Sequence, residues 1–134
     1  FRPFAPAVMA EHATTYFDLN PKTINTYNAM LFVAQVKREH RAQLAAVTHV
    51  DGSARVQTVL EQQSPMFWAL IDAYRQLSGI PILLNTSFNV RGQPMVCSPT
   101  DAIETFITAG LDSLVIGNYR VTRMKSKMRE NNLE

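Results

Sequence analysis

The segment SPMFWALIDAYRQLSGIPILLN (residues 64–85) joins a helical pattern directly to a strand pattern. Serine followed by proline is typical of a helix start, because serine caps the first turn and proline suits its first position. Apolar residues then recur at helical spacing, at Phe67, Leu70, Ile71, Tyr74 and Leu77. Gly79 follows them as a favourable C-cap residue. Ile82–Leu84 follows as a short core strand, which we expect at the centre of the sheet. This unit predicts a domain of mixed helices and strands rather than a helical bundle.

The rest of the chain continues this alternation on both sides. Downstream, Ser98-Pro99 predicts a second helix that ends at Gly110, and two strands at 114–116 and 119–122 flank Gly117-Asn118. Cys97, Trp68 and Tyr74 are expected to pack in the core. Upstream, we predict an edge strand or extended lead-in at 4–9, a short helix at 11–17, a loop at 18–28, a buried strand at 29–36, and strands at 44–50 and 54–59 that flank a turn at 51–53.

Length and composition place the chain among ordinary globular domains. It has 134 residues, of which 46% are hydrophobic and 18% charged. We expect one domain over 1–123 and a solvated tail over 124–134, where the final Leu133-Glu134 could be vector residues. We interpret the start at Phe1, without a methionine, as that of a piece cut from a longer protein.

Charge and cysteine content limit the classes of partner and compartment. A single cysteine requires no oxidising compartment, so a cytoplasmic protein is the default expectation. No apolar run approaches the roughly 20 residues that span a bilayer, so we expect no membrane role. A net charge of +2 permits nucleic acid but does not indicate it.

The segment HVDGSARVQ (residues 49–57) is the first of two polar clusters that interrupt apolar strands. If the residues from Arg55 onward are extended, Arg55 and Gln57 share one face by the two-residue period of a strand. That face offers a guanidinium fork for a phosphate or carboxylate and an amide for a second contact. The alternative is a polar hairpin in which Asp51 caps the turn and Arg55 pairs with a surface acid.

The segment NTSFN (residues 85–89) is the second polar cluster and follows the strand Ile82–Leu84 directly. Small polar side chains and backbone amides at a strand end can cradle a phosphate without a fixed charge. An ordinary asparagine-rich turn explains the same residues. Ser87 lacks the glycines of a nucleophile elbow, and the three histidines lack metal-ligand spacing. We therefore predict neither a serine triad nor a metal site within the chain.

Four segments carry a family resemblance when they are taken together: FRPFAP (1–6), HVDGSARVQ (49–57), LNTSFN (84–89) and PTDA (99–102). In this order and spacing they resemble the C-terminal domain of the nodulation-protein and antibiotic-tailoring O-carbamoyltransferases. The resemblance runs from Phe1 to about Arg123. It implies a YrdC-like two-layer α/β (α+β) domain, with a twisted mixed sheet and flanking helices.

The resemblance also implies a reaction shared between two domains. The YrdC-like domain binds ATP and carbamoyl phosphate, with Mg²⁺ on the nucleotide, and forms carbamoyl-adenylate. An N-terminal domain resembling the ASKHA-type threonylcarbamoyl-transferase fold then passes the carbamoyl group to an acceptor hydroxyl, and it holds the metal of the transfer site. We expect that domain to be the partner, and the isolated chain to be inactive or nearly so.

Residue by residue, the resemblance makes Arg55 and Ser87 the candidate catalytic residues. Ser87 and Asn89 would correspond to the YrdC Ser-x-Asn pair, and we expect residues 85–89 to open onto a concave surface shared with Arg55. The candidates for binding nucleotide and carbamoyl phosphate are Arg2, His49, Asp51, Gln57, Asn85, Thr86 and Asn89. Adenylate formation sets one anion against another, so cationic forks and neutral donors must screen the charge.

Two departures from the family pattern bear on activity. Ser53 stands where the family commonly has threonine, which keeps a hydroxyl at the turn. The family's Lys-x-Arg pair, which lies just upstream of FRPF, is not part of this sequence.

Two other functions fit part of the sequence. A YrdC-like module could bind a nucleotide or RNA without chemistry, but the chain lacks the interleaved aromatic and basic residues of an RNA platform. The second alternative is a structural domain whose site has decayed. The presence of Arg55, Ser87 and Asn89 argues against such decay.

Overall fold

A computed structural model describes residues 4–123 of the chain. Contacts between Cα atoms divide the chain into two compact units, Phe1–Thr86 and Ser87–Glu134. Both units combine helices and strands, so the protein has the α/β fold that the sequence predicts. Arg2 and the predicted tail over 124–134 lie outside the described residues, and the domain limits stay a prediction.

The first unit contains strands and helices joined by short 3₁₀ turns. The strands and helices are β1 (Ala5–Met9), α1 (Ala13–Tyr16), β2 (Ala34–Gln35), β3 (Ser53–Ala54), β4 (Gln57–Val59), α2 (Pro65–Ser78) and β5 (Ile82–Asn85). The 3₁₀ turns are Ala10–His12, Pro21–Tyr27, Arg38–His40 and Ala45–Val47.

A three-stranded mixed sheet forms the centre of the first unit. Strand β1 lies in the middle, with β4 parallel to it on one side and β5 antiparallel on the other. All of β1 is buried, so the prediction of an edge strand or lead-in was wrong. Pro6 has no N–H to donate to a ladder. It lies in register with Leu84 of β5 but outside the ladder with β4, which begins one residue later at Ala7, so proline is tolerated at this position.

Strand β5 is at an outer position among the described strands of this sheet, although the sequence predicted a central strand. Ile82 is buried, but Leu84 is about half exposed. An apolar run of three residues therefore misled the prediction, because such a run does not distinguish one covered face from two.

Two apolar clusters cover the two faces of β1, since alternate strand residues point to opposite faces. Val8 belongs to a cluster that includes Phe17, Val36 and Val56. Ala7 and Met9 belong to the other cluster, which α2 covers through Ile71. Burial on both faces explains why every residue of β1 is inaccessible.

Three predicted strands differ from the structure. Of residues 29–36, only Ala34–Gln35 is a strand, because Met30 adopts a left-handed φ of 56° that interrupts an extended chain. Residues 44–50 contain the 3₁₀ turn Ala45–Val47 instead of a strand. Leu44, just before the turn, and Val47 are buried, and their spacing of three residues is that of a 3₁₀ turn. The predicted strand 54–59 is divided between β3, which pairs with β2, and β4, which pairs with β1.

Helix α2 confirms the predicted helix, with differences in its detail. Gly79 caps its C-terminus with a φ of 78°, whereas the Ser64 side chain makes no capping hydrogen bond. Trp68 packs partly against the apolar cluster that contains Met9 and Ile71, as expected. Tyr74 is 41% exposed, and Leu70 and Leu77 are more exposed still, so only part of the predicted apolar pattern faces the core.

The second unit contains α3 (Pro99–Thr108), β6 (Ser113–Ile116) and β7 (Tyr119–Thr122), and it confirms the predicted helix and hairpin. Ser98 and Asp101 form a reciprocal capping box at the start of α3. Cys97 is exposed, so its predicted place in the core was wrong. It precedes the helix, where the chain follows loop geometry rather than a buried strand.

Candidate functional site

The turn at residues 49–53 is held by the Asp51 carboxylate. Asp51 Oδ1 accepts a 2.9 Å hydrogen bond from the Ser53 backbone N–H and a 2.7 Å hydrogen bond from the Ser53 hydroxyl. The Ser53 N–H, followed by the Ser53 hydroxyl, holds the pKa of Asp51 below its ordinary value of 3.8. Asp51 therefore caps the turn, as the polar-hairpin hypothesis predicted.

The orientation of His49 follows from the same hydrogen bonds. An ionised carboxylate only accepts, so the single hydroxyl proton of Ser53 is directed at Asp51. Ser53 Oγ lies 3.0 Å from His49 Nδ1 and therefore accepts a hydrogen bond from the Nδ1–H. The other ring nitrogen, Nε2, is buried and has no hydrogen-bond partner among residues 4–123. In neutral His49, Nε2 therefore carries the free lone pair.

Arg41 supports this turn, although no motif in the sequence pointed to it. Its Nε donates to the Val36 carbonyl at 2.9 Å, and its Nη2 donates to Gln35 Oε1 at 3.2 Å. The guanidinium lies against Gly52, whose φ is 83°, so closely that a Cβ at residue 52 would overlap it. Only glycine satisfies both the left-handed backbone and this close approach.

Arg55 differs from Arg41 because its guanidinium is not used within the fold. The side chain is exposed, beside fully buried Val56. Within residues 4–123, the ion pair present joins Arg75 to Asp72, and Arg55 pairs with no acid. The second half of the polar-hairpin hypothesis, a surface acid for Arg55, therefore has no counterpart in the described residues.

The two polar clusters meet at Gln57 and Asn85. Asn85 Nδ2 donates to Gln57 Oε1 at 2.6 Å. The two residues stand at the start of β4 and the end of β5, on either side of β1, where Ala7 pairs with Gln57 and Ala5 pairs with Asn85. The polar end of the sheet is therefore the amino end of β1 and β4 and the carboxyl end of β5.

Met30 also contacts this end of the sheet, although the sequence placed it in a strand. Its Sδ lies 3.6 Å from Asn85 Nδ2. Asn85 thus directs one amide hydrogen at Gln57 and the other at Met30. Its Oδ1, the Gln57 Nε2 and the Arg55 guanidinium make no hydrogen bond within the described part of the chain, which leaves donors and one acceptor for a ligand.

The remaining residues of the second polar cluster are exposed or close a loop. Thr86 is exposed at the end of the first unit, and Ser87 is exposed at the start of the second. Asn89 Nδ2 donates to the Gln93 carbonyl at 3.0 Å, which closes the loop that contains Gly92. This contact gives Asn89 a structural role in the loop. The predicted place of Ser87 and Asn89 beside Arg55 stays a prediction.

Metal-binding clusters and membrane-spanning helices are both absent from the described residues. Over 4–123, no three histidine, cysteine, aspartate or glutamate side chains come together in an arrangement that could hold a metal ion. Over the same residues, none of the helices has the length and apolar character needed to cross a membrane.

The described residues thus include two linked amides at one end of the sheet and, two residues before Gln57 in the sequence, an exposed arginine. The sequence profile described as "Carbamoyltransferase C-terminus" matches residues 1–123. The chain belongs to this family, as its motifs predicted.

Curated relatives are much longer than this chain. Nodulation protein NolNO of Sinorhizobium fredii is 46% identical over 123 residues, which cover 92% of this chain and 18% of the relative. Nodulation protein NolO of Bradyrhizobium diazoefficiens is 42% identical over 130 residues, which cover 97% of this chain and 24% of the relative. An uncharacterised protein of Methanocaldococcus jannaschii is 35% identical over 125 residues, covering 93% and 24%. The chain therefore spans about a fifth to a quarter of these relatives.

Proposed function

We propose that this chain is the part of an O-carbamoyltransferase that binds ATP and carbamoyl phosphate and forms carbamoyl-adenylate. The hydrogen bond between Gln57 and Asn85 is the observation that carries the proposal, because it joins the two motif segments at one end of the sheet. Arg55 precedes Gln57 by two residues and supplies the cation.

The free groups at this end of the sheet complement carbamoyl phosphate. The Arg55 guanidinium and the Gln57 amide are donors, which suit phosphate and carboxylate oxygens. Asn85 Oδ1 is an acceptor, which suits the N–H₂ of a carbamoyl group. A donor set alone would bind any anion, so the acceptor at Asn85 is what favours a carbamoyl compound over inorganic phosphate.

The proposed chemistry places two anions next to each other. Water cleaves carbamoyl phosphate to carbamate and phosphate, and a carbamate oxygen attacks the α-phosphorus of ATP while the bond to pyrophosphate breaks. An acceptor hydroxyl then attacks the carbamoyl carbon and AMP leaves. Arg55 holds the carbamate and the α-phosphate together through separate N–H groups, which reduces their repulsion and aligns the reacting atoms.

The other predicted ligand residues take secondary places in this proposal. His49 and Asp51 set the shape of the turn that leads to Arg55, and Thr86 and Ser87 supply neutral hydroxyl donors to the nucleotide phosphates. Asn89 shapes the loop that follows, because its Nδ2 already donates to the Gln93 carbonyl. Arg2 adds a second cation. Mg²⁺ would be carried by the nucleotide, whose phosphates are its usual ligands in such sites.

The proposal includes a second domain and a compartment. The much greater length of the relatives supports an N-terminal domain of the same polypeptide that carries out the transfer to the acceptor and holds its metal. We propose a cytoplasmic enzyme, because ATP and carbamoyl phosphate are intracellular substrates.

A test compares two asparagine–glutamine pairs of the same unit in the full-length protein. In the site pair, Gln57→Ala and Asn85→Ala should each reduce pyrophosphate release from ATP and carbamoyl phosphate by about tenfold or more, the scale of losing one positioned hydrogen-bonding group. The control pair is Asn28 and Gln63, whose side chains form a 3.1 Å hydrogen bond outside the site.

The control variants Asn28→Ala and Gln63→Ala should release pyrophosphate at the wild-type rate. If the two pairs of variants behaved alike, the Gln57–Asn85 contact would be structural and the proposed site would be wrong.

A further inference from the structure

The outward face of α2 is apolar over its whole length. Met66, Leu70, Tyr74 and Leu77 are exposed by 86%, 58%, 41% and 89%. Their spacing of four, four and three residues places them on one side of the helix. Ala69 and Ala73 are also exposed and lie between them on the same side, so no charge interrupts this face. We call these six residues the α2 outer face.

The opposite side of α2 is already used by the fold. Ile71 is fully buried against β1 and β4, and Phe67 and Trp68 pack partly against the same cluster. The polar residues form a narrow stripe in which Asp72 accepts hydrogen bonds from Arg75 and Gln76. The apolar side chains of α2 thus extend well beyond the side that contacts the sheet, and a helix with so wide an apolar surface is typical of one that is covered on more than one side.

The size of the α2 outer face distinguishes between possible occupants. Four side chains of this kind expose several hundred Å², at or below the roughly 600 Å² that each partner contributes to the smallest stable interfaces between free proteins. A domain tethered on the same polypeptide is present at an effective concentration in the millimolar range, so a small apolar contact is enough. The relatives' length provides such a domain, since the chain covers only 18% and 24% of two of them.

We propose that the α2 outer face docks against an apolar surface of the same polypeptide outside residues 1–134. The proposal rests on the part of the proposed function that places a further domain in the chain's own polypeptide. It does not depend on what Arg55, Gln57 and Asn85 bind. The docked surface is apolar and uncharged opposite Leu70 and Leu77, because burying a charge there without a partner would cost several kcal/mol.

Site-directed cross-linking in the full-length protein tests this docking. Leu77→Cys is introduced with the other cysteines, including exposed Cys97, replaced by serine. A benzophenone maleimide on the introduced thiol should, after illumination, join to peptides outside residues 1–134. The matched control is Leu31→Cys, a 75% exposed apolar position of the same unit that is not on α2.

Labelling rates give a second readout without ATP or carbamoyl phosphate. By exposure in this structure, the thiol of Leu77→Cys should react at least as fast as the thiol of Leu31→Cys, since the native side chains are 89% and 75% exposed. Docking reverses this order, and we expect the Leu77→Cys thiol in the full-length protein to react about tenfold more slowly.

Each alternative outcome overturns the docking proposal. Equal labelling at the two positions would show that the face is open. Cross-links confined to residues 1–134 of the same molecule, or protection that disappears on dilution together with a dimer in sedimentation, would assign the face to the chain itself or to a second copy. Loss of pyrophosphate release has no bearing on these results, so the failure of the proposed function is observed separately.

Discussion

Replacing Arg55 by lysine separates the charge of this side chain from its geometry. The guanidinium can donate to two anions at once through a planar fork, whereas an ammonium acts as a point charge. We therefore expect Arg55→Lys in the full-length protein to slow carbamoyl-adenylate formation on the order of a hundredfold, the effect of removing one preorganised transition-state donor. A hundredfold change corresponds to about 2.7 kcal/mol of activation free energy.

The structure predicts that this substitution leaves stability nearly unchanged. Arg55 is exposed and makes no ion pair within residues 4–123. A surface side chain without such contacts contributes within about 0.5 kcal/mol to the free energy of unfolding. A large loss of rate with an unchanged melting temperature is thus the expected combination.

The assay follows pyrophosphate and phosphate release from ATP and carbamoyl phosphate, with thermal melting in parallel. Arg75→Lys is the matched control, because Arg75 is a partly exposed arginine of the same unit whose guanidinium is bound to Asp72 at 2.7 Å. It should release pyrophosphate normally. Near-normal release by a stably folded Arg55→Lys protein would refute the role of the fork and leave Arg55 as a hairpin surface residue.

Two further predictions concern the turn at residues 49–53. Gly52→Ala should destabilise the protein by about 1–2 kcal/mol because of its left-handed backbone, and further because the added Cβ displaces Arg41. Gly79→Ala is the control, since Gly79 has a similar φ but open space around its Cβ, and it should melt at a higher temperature. Equal melting temperatures of the two variants would contradict the Arg41 contact. Because the folded-state pKa of Asp51 lies below its ordinary 3.8, its stabilisation is complete above that pH and is lost as the pH falls through the lower folded value. Melting temperatures between pH 6 and pH 2.5 should therefore fall less for Asp51→Asn than for the wild type, and parallel curves would count against this carboxylate.

Local signals in the sequence correctly predicted those features of the structure that depend only on residues adjacent in the chain. Gly79 ends α2 and Ser98-Pro99 begins α3, as cap chemistry requires. The turn at Gly52 was also predicted, since Asp-Gly favours it. These features are set within a few residues, so a single sequence contains the information.

Features that depend on distant contacts could not be predicted in the same way. The strand expected over 29–36 is interrupted at Met30, whose left-handed backbone places its sulfur beside Asn85, 55 residues away in sequence. Arg41 could not be identified as a support of the turn, because its contact with Gly52 depends on the folded path of the loop. Family motifs identified Gln57 and Asn85, but their hydrogen bond required the order of the strands.

The position of β1 in the sheet has a consequence for how the protein is made. Within its sheet, β1 is synthesised before both of its partner strands: Gln57 follows its partner Ala7 by fifty residues, and Asn85 follows its partner Ala5 by eighty. At about 5–20 residues per second, β1 has both edges unpaired for about 3–10 s, until β4 is made, and one edge unpaired until about 4–16 s, when β5 is complete. During translation β1 is therefore an exposed apolar segment, and chaperone binding to it should decrease once residue 85 has emerged.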